Sequence, residues 1–163
     1  MESHPFVSKI AKTKLLWNTD IQQLHKYVQG IVEVASNDRS PIDEYPDIVY
    51  KCYDDNNLNA IDHLKKALIS NKNNSNEYKL TWLAFVSILR CSSQAGTASW
   101  QYILPNKSKA RVKNAVLAFE QQISMVIEDI RYFQLITDVS RAKLYEHDAR
   151  LNFPIDDKSI DAV

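Results

Sequence analysis

Apolar residues recur every three or four positions along most of this chain, which is the spacing of an α-helix that buries one face. The clearest stripe consists of Ile21, Leu24, Val28, Ile31 and Ala35. Other segments repeat the spacing, and polar stretches separate them. We therefore predict helices at about 5–17, 21–35, 58–68, 77–92 and 108–136.

Short local signals mark where elements begin. Pro5 opens the first helix, since its missing N–H would be unpaired in the first turn anyway. Thr19 and Gln22 form a capping-box pattern, in which the Thr19 hydroxyl accepts a free backbone N–H of the second helix. The segment from Asp47 to Tyr53 is ambiguous, because its apolar residues suit either a short strand or an apolar loop under the helices.

Two predicted helices define the packing. The helix at 77–92 is apolar on most faces, which indicates burial at the centre of the bundle. The helix at 108–136 carries a strict heptad seam of Val112, Val116, Phe119, Ile123, Val126, Ile130 and Phe133. Such a seam packs lengthwise against a partner helix at a shallow angle. The partner is either the helix at 21–35, which has the same period, or a second copy of the chain in a homodimer.

The composition excludes several classes of protein. The 163 residues include 20 basic and 20 acidic ones, so the net charge gives no support to nucleic-acid binding. With Gly30 and Gly96 as the only glycines, neither a Walker loop nor a G-x-G-x-x-G turn can be built. No apolar run is long enough to span a membrane, so we expect no membrane partner.

The cysteines and histidines indicate no metal centre. The four histidines show no ligand spacing with one another or with the cysteines, so we predict no metal site. Cys52 and Cys91 are far apart and are expected to be free thiols in a reducing cytoplasm. A disulfide between them is the alternative.

Basic and aromatic residues lie together in one place, the predicted loop at 92–106 and the residues after it. The candidates are Trp100, Tyr102, Lys107, Lys109 and Arg111. Basic side chains neutralise phosphates and aromatic rings stack on extruded bases, so these residues are candidate DNA contacts. The alternative, which the sequence slightly favours, is that the two rings pack on the bundle. The basic residues would then form a solvated first helical turn, as is common on surfaces although they oppose the helix dipole.

The two ends of the chain carry a further pattern. Asp148-Ala149-Arg150 reads as an acidic turn after a strand, Pro154 interrupts the connection, and Ser159 to Val163 begins a second strand. At the other end, the acidic Glu2 precedes the helix-opening Pro5. These segments, roughly a fifth of the chain, resemble DNA methyltransferases that modify the exocyclic amino group of adenine or cytosine. In that family the second strand runs into a Ser/Asp/Asn-Pro-Pro-Tyr loop, so we expect this chain to be an internal piece of a longer protein.

The resemblance implies that residues 1–17 and 140–163 are pieces of a Rossmann-like methyltransferase domain, with 18–139 as a helical insertion. It implies that Glu2 takes the ribose hydroxyls of S-adenosylmethionine and that Asp148 lies near the adenine. The full-length protein would then be a prokaryotic, cytoplasmic enzyme of a modification or restriction-modification system, with DNA as its partner.

The chain also departs from the family. His147 stands where the family usually has Gly, and both the glycine-rich cofactor loop and the Pro-Pro loop are missing. We therefore expect this chain alone to bind no cofactor and to be inactive.

The predicted fold is mainly α: a bundle of about five helices with one or two short C-terminal strands left over from the Rossmann-like domain. We expect those strands to pair poorly and to leave exposed edges. The alternative function is a non-enzymatic helical module for protein interaction or dimerisation, with the heptad seam as its surface.

Overall fold

A computed structural model describes residues 2–97, 103–136, 142–148, 150–152, 155–156 and 159, with 103–105 described by their backbone. The elements in chain order are α1 (Pro5–Lys14), α2 (Ile21–Asn37), α3 (Asp47–Cys52), α4 (Asp55–Ser70), α5 (Asn76–Ser92), β1 (Ala95–Thr97), β2 (Ile103–Ser108) and α6 (Ala115–Leu135). The predicted mainly helical fold is confirmed. Its predicted Rossmann-like origin stays a prediction.

Helix α5 lies at the centre of the bundle, as its all-round apolar sequence predicts. It packs against α1, α2, α4 and α6. Leu80, Ala84 and Ile88 of α5 are almost completely buried in the shared core. The stripe predicted on α2 is buried in the same core at Leu24 and Ile31. Burial of these apolar surfaces is the main stabilising contribution to the fold.

The start of α2 corrects the predicted capping box. Asp20 is the N-cap residue, and its carboxylate accepts hydrogen bonds from the backbone N–H groups of Gln22 at 2.7 Å and Gln23 at 3.1 Å. The Thr19 hydroxyl instead donates to the carbonyl of Leu16 at 2.7 Å. A carboxylate satisfies two N–H groups at the positive end of the helix, so Asp20 is preferred to the neutral hydroxyl beside it.

The segment from Asp47 to Tyr53 is neither a strand nor a loop over most of its length, contrary to both alternatives. It forms the short helix α3, which ends at Cys52. Pro46 stands at the N-cap, and Asp47 places a negative charge in the first turn. The charge of Asp47 favours helix initiation, because it lies at the positive end of the helix dipole. A helix of six residues is too short to show a helical period in its sequence.

Helix α6 is shorter than predicted, and its buried face differs from the predicted seam. It begins at Ala115, where the Asn114 side chain caps it, because the preceding residues form β2 and an irregular connection. Its buried residues are Ala115, Ala118, Phe119, Ile123, Ile127 and Ile130. Of the predicted seam, Val112, Val116 and Phe133 are exposed. Val112 precedes the helix and so cannot belong to its packed face. Within α6, a straight helix drifts by about 20° per heptad relative to a 3.5-residue period, which moves the ends of such a seam out of the interface.

The packing partner of α6 is also different from the one predicted. Helix α6 packs chiefly on α5 and α4, and its contact with α2 is minor. Helix α5 offers apolar side chains on several faces and can therefore serve both α2 and α6.

Strands β1 and β2 form an antiparallel pair in the region predicted to be a loop. Ala95 is paired with Ser108 and Thr97 with Ile103, with a shift of register after Ala95. The close approach depends on Gly96, because a Cβ atom there would lie 2.8 Å from the carbonyl oxygen of Lys107. The predicted loop at 92–106 is therefore wrong where the two strands form, and residues 98–102 lie outside the described ranges.

The C-terminal segment forms little sheet within the part of the chain that is described. Its one β contact there is an isolated parallel bridge between Glu2 and Glu146. Residues 160–163, predicted to begin a second strand, lie outside the described ranges. Among the described helices, none combines the length and apolar character needed to cross a lipid bilayer.

Candidate functional site

The two ends of the described chain meet through a short parallel pairing. The backbone N–H of Glu2 donates to the carbonyl of Tyr145 at 3.1 Å, and the N–H of His147 donates to the carbonyl of Glu2 at 3.2 Å. Glu2 and Glu146 therefore lie side by side with their chains running in the same direction. Asp148 follows Glu146 by two residues, so the pairing brings Glu2 beside the segment that contains Asp148.

The carboxylate of Glu2 lies at the beginning of α1. Its Oε1 atom accepts a hydrogen bond from the backbone N–H of His4 at 2.8 Å, and His4 is the N-cap residue of α1. The positive end of the helix dipole stabilises a negative charge at this position. Glu2 is half-buried. The carboxylate is thus oriented by the helix and remains open to solvent on one side.

Asp148 lies in a turn that it stabilises itself. Its carboxylate accepts hydrogen bonds from the Arg150 guanidinium group at 2.5–3.1 Å and from the Arg150 backbone N–H at 2.9 Å. These contacts hold the pKa of Asp148 below its usual value, with the guanidinium group as the main cause. Arg150 is 88% exposed. Asp148 is therefore an ionised hydrogen-bond acceptor whose protein partner can be displaced into solvent.

Glu146 fixes the C-terminal segment to α1, a role that the sequence analysis missed. Its carboxylate accepts hydrogen bonds from the Lys12 ammonium group at 2.5 Å and the Ser8 hydroxyl at 3.1 Å. These contacts, Lys12 foremost, lower the pKa of Glu146. Ser8 and Lys12 are four residues apart and so lie on one face of the helix. That spacing was readable, but the partner lies 134 residues away from Lys12.

The candidate DNA-contact residues divide into two groups in the structure. Lys107 and Arg111 are exposed near the base of the β1–β2 hairpin. Lys109 is half-buried, and its ammonium group donates to the carbonyl of Arg90 near the end of α5. Burial, followed by the neighbouring charge of Arg90, lowers the pKa of Lys109. Lys109 thus stabilises a helix end, whereas Lys107 and Arg111 are available to a ligand. Trp100 and Tyr102 lie outside the described residues.

The hairpin belongs to a segment with a strongly positive local charge, which the zero net charge of the whole chain conceals. Between Glu77 and Glu120 the sequence contains no acidic residue. The same stretch contains Lys79, Arg90, Lys107, Lys109, Arg111 and Lys113. Unbalanced positive charge of this kind attracts polyanions over a range set by ionic strength.

Within the described ranges, no group of three or more His, Cys, Asp and Glu side chains is arranged to hold a metal ion. The chain matches no protein-family profile, no curated protein and no solved structure with which it was compared. Two features of the described residues bear on function: the acidic edge, formed by Glu2, Glu146 and Asp148, and the basic hairpin with Lys107 and Arg111.

Proposed function

We propose that this chain supplies the cofactor edge of an S-adenosylmethionine-dependent DNA methyltransferase acting on the exocyclic amino group of adenine or cytosine. The observation that carries the proposal is the parallel pairing of Glu2 with Glu146. Neighbouring parallel strands end at one edge of a sheet, and doubly wound folds bind nucleotides at that edge. The pairing brings Glu2 beside the segment that contains Asp148, although 145 residues lie between Glu2 and Asp148 in the sequence.

Each carboxylate suits the part of the cofactor assigned to it. Glu2 is oriented at the start of α1 and has two oxygens, which can accept hydrogen bonds from both ribose hydroxyls. Asp148 can accept a hydrogen bond from the amino group of adenine once Arg150 moves aside. That exchange is easy, because an ion pair with so exposed a partner adds little to stability.

The basic hairpin suits the DNA substrate of the same enzyme. Lys107 and Arg111 are exposed and can neutralise backbone phosphates, and helix α3 packs against strand β2 of the hairpin. Trp100 and Tyr102 fall between β1 and β2 in the sequence, and they remain candidates for stacking on the extruded base. Methyl transfer itself requires groups that belong to the full-length protein, namely the glycine-rich cofactor loop and the Pro-Pro loop.

The first test is the coding sequence on both sides of this segment. We expect a glycine-rich strand and turn before Glu2 and a Ser/Asp/Asn-Pro-Pro-Tyr loop just after Val163. A stop codon directly after Val163 would contradict the proposal.

The second test uses Glu2→Gln and Asp148→Asn in the full-length protein, with Glu128→Gln on the exposed side of α6 as the matched control. Each site variant should weaken S-adenosylmethionine binding by roughly tenfold, since a charge-assisted hydrogen bond is lost. Calorimetry measures the affinity, and thermal unfolding should show the same midpoint for all three variants. Unchanged affinity in both site variants would refute the assignment of these two residues.

A second function, a helical interaction or dimerisation module, is favoured by the outer side of α6. Leu117, Met125, Tyr132 and Leu135 are each more than half exposed there, and their spacing places them on one side of the helix. The central residues of the predicted seam, Phe119, Ile123 and Ile130, are buried in the chain's own core. A dimer would therefore use the outer side and not the predicted seam. Light scattering of the wild-type chain and of Met125→Lys tests this, because only an α6 dimer would dissociate in the variant.

A further inference from the structure

A pocket of about 310 Å³ lies between α1 and the first turn of α5. Three lysine side chains line it, Lys9 and Lys12 from α1 and Lys79 from α5. Thr13 lies behind them and is buried, and its hydroxyl donates to the carbonyl of Lys9 at 2.8 Å. Glu146 is the one carboxylate among the residues described around this pocket. The lining therefore has an excess of positive charge.

Lys9 is held in place by an aromatic ring. Its ammonium nitrogen lies 3.6 Å from the centroid of the Trp82 ring, and the Phe6 ring packs against Trp82 at 5.8 Å in an edge-to-face arrangement. A cation–π contact of this kind restricts a lysine side chain that would otherwise be mobile. Partial burial, followed by the nearby charge of Lys72, lowers the pKa of Lys9. The cation is thus positioned before any ligand arrives.

The charges in the pocket do not balance. Glu146 already pairs with Lys12 at 2.5 Å, so the described lining offers no second carboxylate to balance Lys9 and Lys79. Two unbalanced ammonium groups are complementary to a dianion. A phosphate or phosphomonoester carries about −1.5 to −2 at pH 7 and offers three acceptor oxygens. We propose that this pocket binds a phosphate group through Lys9 and Lys79, with Lys12 shared between the ligand and Glu146.

The geometry favours a compact phosphate over a ligand read by stacking. The ammonium group of Lys9 covers the face of Trp82 beside the pocket, so a nucleobase has no ring face to stack on there. Lysine acts on phosphate as a flexible point charge and needs no planar partner. The proposal does not depend on the methyltransferase assignment, since it requires no role of Glu2, Asp148 or the hairpin in binding cofactor or DNA.

The test is a titration of the 163-residue chain with inorganic phosphate, followed by amide NMR shifts and calorimetry. We expect saturable binding in the range of about 0.1 to 10 mM, with shifts concentrated on Lys9, Thr13 and Lys79. Lys79→Gln should weaken binding by roughly tenfold while leaving the Trp82 contact intact. Lys9→Gln should weaken it similarly. Lys14→Gln, on the same helix but outside the pocket, is the control and should bind as the wild type does.

Glu146→Gln provides a change of opposite sign. Removing the carboxylate frees Lys12 for the ligand, so phosphate affinity should rise roughly threefold. A merely nonspecific surface effect would weaken binding equally in Lys14→Gln and in the pocket variants, and that result would overturn the proposal. Failure to saturate at about 10 mM phosphate would overturn it as well.

Two further ligands distinguish the source of the phosphate. Adenosine monophosphate supplies a free monoester, and a short DNA duplex supplies backbone diesters. If Lys79→Gln weakens binding of adenosine monophosphate but not of the duplex, the site binds a soluble phosphorylated compound. If it weakens both equally, the site extends the DNA-contacting surface. Each result supports the pocket and assigns its ligand.

Discussion

The buried carboxylate of Asp62 lies 2.8 Å from the ammonium nitrogen of Lys66, one helical turn further along α4. Asp62 is completely inaccessible to solvent. It also accepts a hydrogen bond from the Tyr45 hydroxyl, and Lys65 joins both Tyr45 at 2.5 Å and Asp43 at 2.6 Å. These contacts attach the connection between α2 and α3 to the side of α4. A buried carboxylate with several charged partners is a strong determinant of local structure.

We predict that Asp62→Asn destabilises the chain by about 3 kcal/mol at neutral pH, because the lysines lose their buried counter-charge. Burial alone would raise the pKa of Asp62, but hydrogen bonds from Lys66, Tyr45 and Lys65 outweigh it and lower the pKa from its ordinary 3.8. Because the pKa of Asp62 is lower in the folded than in the unfolded state, its ionised carboxylate stabilises the fold at pH values above the unfolded-state pKa. This stabilisation is lost as the pH falls through the folded-state pKa. Urea unfolding between about pH 3 and 7 should show the difference between wild type and variant shrinking at the acidic end.

Asp43→Asn is the matched control, since Asp43 contacts the same lysines from a half-exposed position. Its effect on the free energy of unfolding should be small, as for most exposed ion pairs. If Asp62→Asn had an effect as small as that of Asp43→Asn, the buried cluster would not have the role assigned to it.

Asn57 leads to a second prediction about stability. Its side-chain amide is buried, donates to the carbonyls of Ser92 and Lys113 at 3.1 Å each, and accepts from the N–H of Ala115 at 2.8 Å. It thereby joins the first turn of α4 to the end of α5 and the start of α6. Asn57→Ala would leave these backbone groups without a partner, and we expect a loss of about 3 kcal/mol in the free energy of unfolding.

Asn57→Asp sharpens this test, because it keeps the shape but removes both N–H donors. The Asp variant should be at least as unstable as the Ala variant, since a buried carboxylate would face two carbonyl oxygens. Asn59→Ala, on the exposed side of the same helix, should change stability by less than about 0.5 kcal/mol. An Asp variant of wild-type stability would show that the amide donors are unimportant.

The long helices could be predicted because their burial has a period that the sequence records directly. The stripe of α2 and the all-round apolar pattern of α5 correspond to Leu24, Ile31 and Ile88 in the core. The short helix α3 has too few residues to show a period, and the β1–β2 pair depends on a close approach at Gly96. Neither element leaves a repeating pattern in the sequence, because α3 is too short and the hairpin depends on one close approach.

The candidate site was predictable only in its residue types. Glu2 and Asp148 were selected from a resemblance, and their assignment to a cofactor stays a prediction. The ion pair between Lys12 and Glu146, which attaches the end of the chain to α1, joins residues that carry no local signal of each other. Lys109 differs from its exposed basic neighbours because its ammonium group donates to one carbonyl of α5, that of Arg90. Pairings over such separations arise only when the chain is folded.

Substitution by alanine should have opposite effects on stability at the two glycines. At Gly96 an added Cβ atom would lie 2.8 Å from a backbone oxygen and 2.9 Å from the Cβ of Lys107, so Gly96→Ala should open the hairpin. At Gly30, in the middle of α2, nothing lies within 4 Å of an added Cβ. Gly30→Ala should therefore stabilise the chain by about 0.5 to 1 kcal/mol through better helix propensity. Denaturant unfolding measures both effects, and amide exchange at Thr97 and Lys107 locates the first. Equal effects from the two substitutions would contradict the packing described at Gly96.

Substitutions of the basic residues around the hairpin should lower stability at one position and weaken DNA binding at two others. Lys109→Gln removes a charged donor from the carbonyl of Arg90, so we expect about 1 kcal/mol lower stability of the 163-residue chain. Lys107→Gln and Arg111→Gln change exposed side chains and should leave unfolding unchanged. In the full-length protein each of these two should weaken binding to a short duplex and reduce the salt dependence by about one phosphate contact.

Lys26→Gln, an exposed change on α2, is the control for nonspecific loss of charge. Fluorescence anisotropy at several salt concentrations measures the slope of log affinity against log salt concentration. A general effect of net charge would alter this slope equally in all four variants. A slope that falls in Lys107→Gln and Arg111→Gln but not in Lys26→Gln assigns DNA contact to the hairpin. If Lys109→Gln instead produced the largest loss of affinity at unchanged stability, its ammonium group would have to leave the carbonyl of Arg90 to reach DNA, and α5 would lose a contact near its end on binding.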